Sequence, residues 1–142
     1  MILLDTSVLS LAFRHRRKGQ PEPLAVAAFR RMLIQDAPVA VPGIVLQELL
    51  SGVRGDTEFT RLKAIMDGFP LVLAESVDHV AATRIANTCA RMGVPTSAVD
   101  CLVAALALSR KAALFTVDTD FTRMAPHCGL ILLRVPGSRG IL

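Results

Sequence analysis

The chain opens with MILLD (residues 1–5), an apolar run that a carboxylate closes. A second run of the same kind, ALFTVD (residues 113–118), also ends on an acid. Strand-like and helix-like segments alternate along the chain, which predicts a three-layer α/β domain whose mostly parallel sheet of four to five strands is flanked by helices. Parallel strands end at one edge, where such proteins bind ligands, so Asp5 and Asp118 should meet in space.

The 142 residues fit one domain, which we place at residues 1–135, followed by a loose tail at 136–142. A domain of this length buries roughly 68–70% of its unfolded surface, enough for a real core. The first helix can be capped by Thr6 or Ser7. The predicted strands lie at 1–5, 39–41, 71–73, 113–117 and 130–133, and the predicted helices at about 6–13, 24–35, 42–53, 56–66, 76–92 and 97–108.

The composition points to an intracellular protein with a covered apolar face. Hydrophobic residues make up 52% of the chain, which favours an oligomeric contact. No apolar run approaches the ~20 residues of a membrane helix, and we see no secretion signal. Cys89, Cys101 and Cys128 are odd in number and form no C-x-x-C pair, which is typical of free thiols in a reducing cytoplasm.

Four acids are candidates for one pocket. Besides Asp5 and Asp118, Glu48 and Asp100 lie inside apolar helical segments, where a charge is costly to bury. Four converging carboxylates would repel one another unless a cation sat among them, so we infer a divalent metal. Each position also has a local explanation: Asp5 as a helix cap, Glu48 as a partly exposed residue, Asp100 in a capping box, and Asp118 with its neighbour Asp120 in an Asx turn.

The charge distribution fits a polyanionic ligand. The chain has 16 basic and 12 acidic residues, and if the five acids just named are set aside, 7 acids remain against the 16 basic residues. A basic body around an acidic cluster suits nucleic acid held over metal ions. A basic surface without this function would give the same count.

Several motifs, taken in order, resemble those of one nuclease family. They are MILLDTSVL (residues 1–9), QEL (47–49), GVP (93–95) followed by Asp100, and TVDTDF (116–121). Together they are similar to the PIN-domain ribonucleases and, more narrowly, to the VapC toxins of bacterial toxin–antitoxin pairs. The resemblance extends from residue 1 to about residue 133.

The resemblance implies a metal-dependent endoribonuclease toxin inhibited by a cognate antitoxin. It implies that Asp5, Glu48, Asp100 and Asp118 are the catalytic and metal-binding quartet, with Asp120 as an auxiliary acid. Thr116 and Ser7 would support the site, and so would Thr6. The family also implies Mg²⁺ or Mn²⁺, an RNA substrate, a homodimer, a higher assembly with the antitoxin, and a cytoplasmic location. Whether one or two ions bind stays open.

Candidate contacts to the RNA backbone are basic. A solvated surface explains each of them about as well. Aromatic residues make up 4% of the chain, and tyrosine and tryptophan are absent, so recognition should rest on RNA shape and backbone charge rather than on base stacking. The candidates are Arg14, Arg16, Arg17, Lys18, Arg54 and Arg123.

Two other functions fit parts of the sequence. The segment DTDFT (residues 118–122) matches the nucleophile motif of haloacid-dehalogenase-type phosphatases, but that motif normally opens its domain, and here 20 residues follow it. The other alternative is a catalytically inactive PIN module that binds RNA or protein. Phosphatase and RNA-cleavage assays separate the three.

Overall fold

The computed structural model describes residues 1–14 and 19–135. The predicted tail at 136–142, as well as residues 15–18 with Arg16, Arg17 and Lys18, lies outside the described residues. Four strands and seven helices alternate within the described ranges. They are β1 (Ile2–Leu4), α1 (Thr6–Phe13), α2 (Leu24–Ile34), β2 (Val39–Pro42), α3 (Gly43–Leu50), α4 (Asp56–Met66), β3 (Leu71–Val72), α5 (Ser76–Arg91), α6 (Ala98–Ser109), β4 (Ala113–Phe115) and α7 (Thr119–Cys128).

The sheet has the strand order β3-β2-β1-β4, and every pairing in it is parallel. The chain builds outward from β1 through β2 to β3 and then returns to the opposite side of β1 with β4. The order therefore reverses beside β1, and this reversal opens a crevice at the carboxyl ends of β1 and β4. The Asp5 amide donates a hydrogen bond of 3.0 Å to the Phe115 carbonyl and ties the two strand ends together.

The core lies along the two central strands and α6. Leu3 and Leu4 of β1 and Leu114 and Phe115 of β4 have no exposed surface, as expected for parallel strands covered on both faces. Residues 101–107 of α6 are all buried, which explains why that helix is apolar on every side. No helix in the described ranges has both the length and the apolarity of a membrane span.

Four strand predictions were too long. The strands predicted at 1–5 and 71–73 are limited to β1 and β3 as given above. The predicted strand at 130–133 is only one isolated parallel bridge, between Leu114 and Leu132, so the described sheet has four strands rather than five. Within the described residues the bridge consists of two hydrogen bonds, from the Leu114 amide to the Ile131 carbonyl at 2.9 Å and from the Leu133 amide to the Leu114 carbonyl at 2.8 Å. The strand predicted at 113–117 ends at Phe115 because the chain turns there to begin α7.

Helix α7 was missed by the sequence analysis. Phe121 and Met124 are fully buried at helical spacing, but Pro126 lies inside the helix and hid the pattern. Gly129 ends the helix in the left-handed conformation, with φ of 76°. Asp118 is thus the N-cap of a helix and not only part of a turn.

Of the three residues considered as the cap of the first helix, the structure assigns the role to Asp5. Its side chain accepts from the Ser7 amide, and neither Thr6 nor Ser7 is the N-cap of α1. Helix α3 ends at Leu50 rather than near Val53 because glycine follows at position 52.

A buried ion pair joins the start of α5 to the end of α6. The Asp78 carboxylate is 2% exposed and accepts from the Glu75 amide at 2.8 Å, from the Ser109 hydroxyl at 3.1 Å and from Arg110 at 2.8 Å. Arg110 also donates to the Leu73 carbonyl at 3.1 Å. Burial by itself would raise the pKa of Asp78, but these donors outweigh burial and hold the pKa below its ordinary value.

We expect Asp78→Ala to lower the free energy of unfolding at pH 7 by about 2–4 kcal/mol, because it removes three hydrogen bonds and leaves Arg110 unpaired. The pKa of Asp78 is depressed on folding, so this contribution is complete above about pH 4 and is lost as the pH falls further. Urea unfolding at pH 7 and pH 3 measures both effects. Asp67→Ala, which breaks an exposed pair with Lys63, is the control and should cost under about 0.5 kcal/mol. Equal costs for the two variants would contradict the assignment.

Candidate active site

The crevice at the carboxyl edge brings the four predicted acids together. Asp5 follows β1, Asp118 follows the end of β4, Asp100 lies in the first turn of α6, and Glu48 lies on α3. Asp100 interacts electrostatically with each of the other three carboxylates. The acids therefore share one pocket, although they come from four separate parts of the chain.

Asp5 is held by two hydroxyl groups. Its side chain is buried, and its Oδ2 accepts from the Ser7 hydroxyl at 2.7 Å, from the Thr116 hydroxyl at 2.7 Å and from the Ser7 amide at 3.4 Å. The Ser7 hydroxyl accepts in turn from the Val117 amide, and the Thr116 hydroxyl from the Asp118 amide. All three of these hydrogen bonds end on one oxygen of Asp5, and the part of the chain that the structure describes places no hydrogen-bond donor on the other. Asp5 is thus both a helix cap and a member of the pocket.

Glu48 is more exposed than its apolar surroundings suggested. The residues of α3 that face the core are Val45 and Leu49, and Glu48 points away from them to an exposed position. The Thr6 hydroxyl donates to Glu48 Oε1 at 2.9 Å, across 42 residues of sequence. The exposure anticipated by the local explanation of Glu48 is therefore present, and the contact with Thr6 holds its carboxylate toward the start of α1.

Asp100 has the most perturbed carboxylate of the pocket. Its burial, together with the charges of Asp118, Asp5 and Glu48, raises the pKa of Asp100 to about 6, although a hydrogen bond with Ser97 acts in the opposite direction. The Ser97 hydroxyl also accepts from the Asp100 amide at 3.1 Å and caps α6. The capping role and the pocket role therefore coexist at the start of this helix.

Asp118 and Asp120 form the outer side of the pocket. Asp118 caps α7, and its Oδ1 accepts from the Asp120 amide at 2.9 Å, which is the Asx turn anticipated from the sequence. Oxygen atoms of Asp100, Asp118 and Asp120 lie within 4.8 Å of one another. Asp120 is also paired with Arg123 at 2.8 Å. This ion pair was not predicted, although the i,i+3 spacing of the two residues on a helix would have indicated it.

The predicted basic residues take different positions. Arg14 donates to the Leu49 carbonyl at 3.3 Å, and Arg14 and Arg54 line a small cavity of about 200 Å³. Arg123 lies on α7, beside the acids. The first two residues are therefore assigned by the structure to a separate cavity, and Arg123 to the rim of the pocket.

The donor set fits a divalent metal ion. Every candidate ligand is a carboxylate, and hard cations such as Mg²⁺ and Mn²⁺ prefer oxygen. Burial and the neighbouring carboxylates raise the pKa of Asp100, and a bound cation would favour its ionised form. The residues present therefore suit such an ion.

Comparison with known proteins identifies the family. A family model described as PIN domain matches residues 2–126. The chain belongs to the PIN-domain family. A VapC ribonuclease of Mycobacterium bovis, Mb1587, is 33% identical to it over 128 residues, which are 88% of this chain and 92% of that protein. The resemblance to PIN-domain and VapC proteins drawn from the motifs is thereby confirmed.

Solved structures support the fold of this PIN domain. FitAcB from Neisseria gonorrhoeae has a TM-score of 0.75 at 20% identity, covering 97% of this chain and 100% of that chain. VapBC2 from Rickettsia felis, bound to a DNA fragment from its promoter, has a TM-score of 0.74 at 18% identity, with coverage of 94% and 98%. The predicted α/β architecture is thus confirmed.

We expect Asp100→Asn to stabilise the metal-free protein at pH 7.5, raising Tm by about 3 °C. The pKa of about 6 in the folded protein lies above the ordinary value of 3.8, so the ionised group opposes folding above pH 6. The gain should fade as the pH drops below 6 and be small at pH 4, where the carboxyl is protonated in the folded state and about half protonated in the unfolded state. Thermal melts in chelator at both pH values measure it, with Asp67→Asn as the exposed control. A gain of equal size at pH 4 would be inconsistent with this account.

Proposed function

We propose that this chain is a metal-dependent endoribonuclease toxin that hydrolyses RNA phosphodiester bonds in the cytoplasm and is inhibited by a cognate antitoxin. The observation that carries the proposal is the convergence of Asp5, Glu48, Asp100 and Asp118 where the strand order reverses. The ribonuclease name of the mycobacterial relative supports RNA as the substrate. The VapBC structures support an antitoxin partner.

Asp5, Asp100 and Asp118 would hold Mg²⁺ or Mn²⁺, with Glu48 and Asp120 close enough to complete the set. Bound there, the ion would supply an activated water and neutralise charge on the leaving oxygen. Thr116 and Ser7 fix the orientation of Asp5, and Thr6 fixes one oxygen of Glu48. Ligands fixed in this way lose little conformational freedom when a metal or a phosphate arrives.

We also propose that the chain forms a homodimer through an apolar groove between α3, α5 and α6. The groove has a volume of about 420 Å³, and Ile44, Ala82 and Val99 are among the residues that line it. On α5, Val80 follows the lining residue His79 and is 54% exposed, so apolar surface extends beyond the groove itself. A second copy of the chain would cover this groove.

Val80→Glu should shift the protein from dimer to monomer, because the charge would have to be buried in the contact. Light scattering during size-exclusion chromatography at micromolar concentration measures the mass. Arg31→Glu, an exposed charge change in the last turn of α2, is the control and should stay dimeric. A wild-type chain that is already monomeric would contradict the dimer.

We expect the purified chain to cut RNA with Mg²⁺ or Mn²⁺ and to be inactive in EDTA. Asp100→Ala and Asp118→Asn should each lower the cleavage rate by at least about 100-fold, because each removes a ligand oxygen or charge from the pocket. Asp67→Asn, an exposed acid on the segment after α4, is the matched control and should keep full activity. Sequencing of the RNA ends after cleavage would give the target and the cut position.

Two results would replace this proposal. RNA binding without cleavage at any metal concentration would indicate an inactive PIN module. Metal-dependent hydrolysis of p-nitrophenyl phosphate with intact RNA would indicate the phosphatase alternative.

A further inference from the structure

Arg123 is a basic side chain that contacts the acidic pocket. Its guanidinium lies 2.8 Å from Asp120 Oδ1, and a carboxylate oxygen of Asp120 lies within 4.8 Å of those of Asp100 and Asp118. Over residues 1–14 and 19–135, no other lysine or arginine is ion-paired with any of the five acids. Among the described residues, Arg123 therefore supplies the positive charge that is paired with these carboxylates.

The ion pair adds little to the stability of α7. The side chains of Arg123 and Asp120 are 62% and 51% exposed, and solvent weakens an i,i+3 pair in such a position. The helix is held instead by its Asp118 cap and by the buried side chains of Phe121 and Met124. The pair is thus free to serve a ligand, since the fold does not require it.

The guanidinium suits a phosphate group. It is planar and has five N–H donors, so one can bind Asp120 while others face a second partner. Two N–H groups match two phosphate oxygens in a bidentate contact. An RNA strand that approaches five carboxylates is repelled, and a fixed cation at the rim would reduce that repulsion next to the reacting bond.

We propose that Arg123, held in place by Asp120, binds a phosphate of the RNA strand beside the bond that is cut. Asp120 is then a positioning residue for Arg123, rather than only an auxiliary metal ligand. The inference rests on the proposed ribonuclease function and assigns a substrate contact within that site.

The test compares Arg123→Ala, Arg123→Lys, Asp120→Asn and the double variant Asp120→Asn/Arg123→Ala with the wild-type chain. RNA affinity is measured by fluorescence anisotropy with a labelled 20-nucleotide single strand in EDTA, so that cleavage does not compete, over a range of salt concentrations. Mn²⁺ affinity is measured by electron paramagnetic resonance, and KM and kcat are measured with Mg²⁺. Arg31→Ala is the control because it removes the same charge from α2 just before β2 begins, at the opposite edge of the sheet.

Arg123→Ala should weaken RNA binding about 10-fold and lower the slope of log K against log salt by about 0.7, the value for one phosphate contact to a single strand. KM should rise more than kcat falls, and Mn²⁺ affinity should not decrease. Arg123→Lys should keep the salt slope and recover part of the affinity, because it keeps the charge without the bidentate geometry. The double variant should bind RNA no more weakly than Arg123→Ala, since Asp120 acts on RNA through Arg123.

Two results would overturn the inference. One is an RNA affinity of Arg123→Ala equal to that of Arg31→Ala. The other is a double variant whose loss of affinity is the product of the two single losses. Both differ from failure of the proposed function, in which the wild-type chain itself would not cut RNA with any divalent metal.

Discussion

The parallel pairing of β1 with β4 is the constraint on which the site depends. Three residues of each strand pair, and the Asp5 amide extends the ladder to the Phe115 carbonyl. Because β4 joins the sheet on the side of β1 opposite to β2, the helices that follow the two strands diverge and leave a crevice. Asp5 and Asp118 enter that crevice as helix caps, so the turns that end the strands also deliver the carboxylates.

Placing the acids together has an energetic cost within the folded chain. Burial and three neighbouring charges raise the pKa of Asp100 to about 6, so ionisation of this carboxyl is unfavourable in the metal-free pocket. At Asp5, the hydroxyl groups of Ser7 and Thr116 donate hydrogen bonds to one carboxylate oxygen and replace the water that burial removes. The protein thus compensates the burial of Asp5 but leaves the ionised form of Asp100 unfavourable, as is common where function and stability compete.

Much of this arrangement could be predicted from the sequence, because the carboxyl ends of parallel strands lie at the same edge of the sheet. Residues that directly follow such strands are therefore expected to be close in space. A carboxylate directly after an apolar run was enough to place Asp5 and Asp118. The environment of Glu48 could not be read in this way, because it depends on how α3 is rotated about its axis.

Helix α7 was not predicted because Pro126 argues against a helix locally, although the buried side chains of Phe121 and Met124 stabilise one. The extent of pairing at residues 130–133 depends on hydrogen bonds to a distant strand, which residue preferences do not encode.

The middle of α6 is enclosed by the core and has no room for larger side chains. Asp100 lies at the start of this helix, and Ala104 and Ala105 in its middle are 0% and 2% exposed. A larger side chain at either alanine has no free space, so the helix would have to shift as a rigid rod along with the carboxylate it carries. Genetic screens for inactive variants should therefore recover substitutions at these two alanines. Such variants would keep every acid but would hold the Asp100 carboxylate out of its position in the crevice.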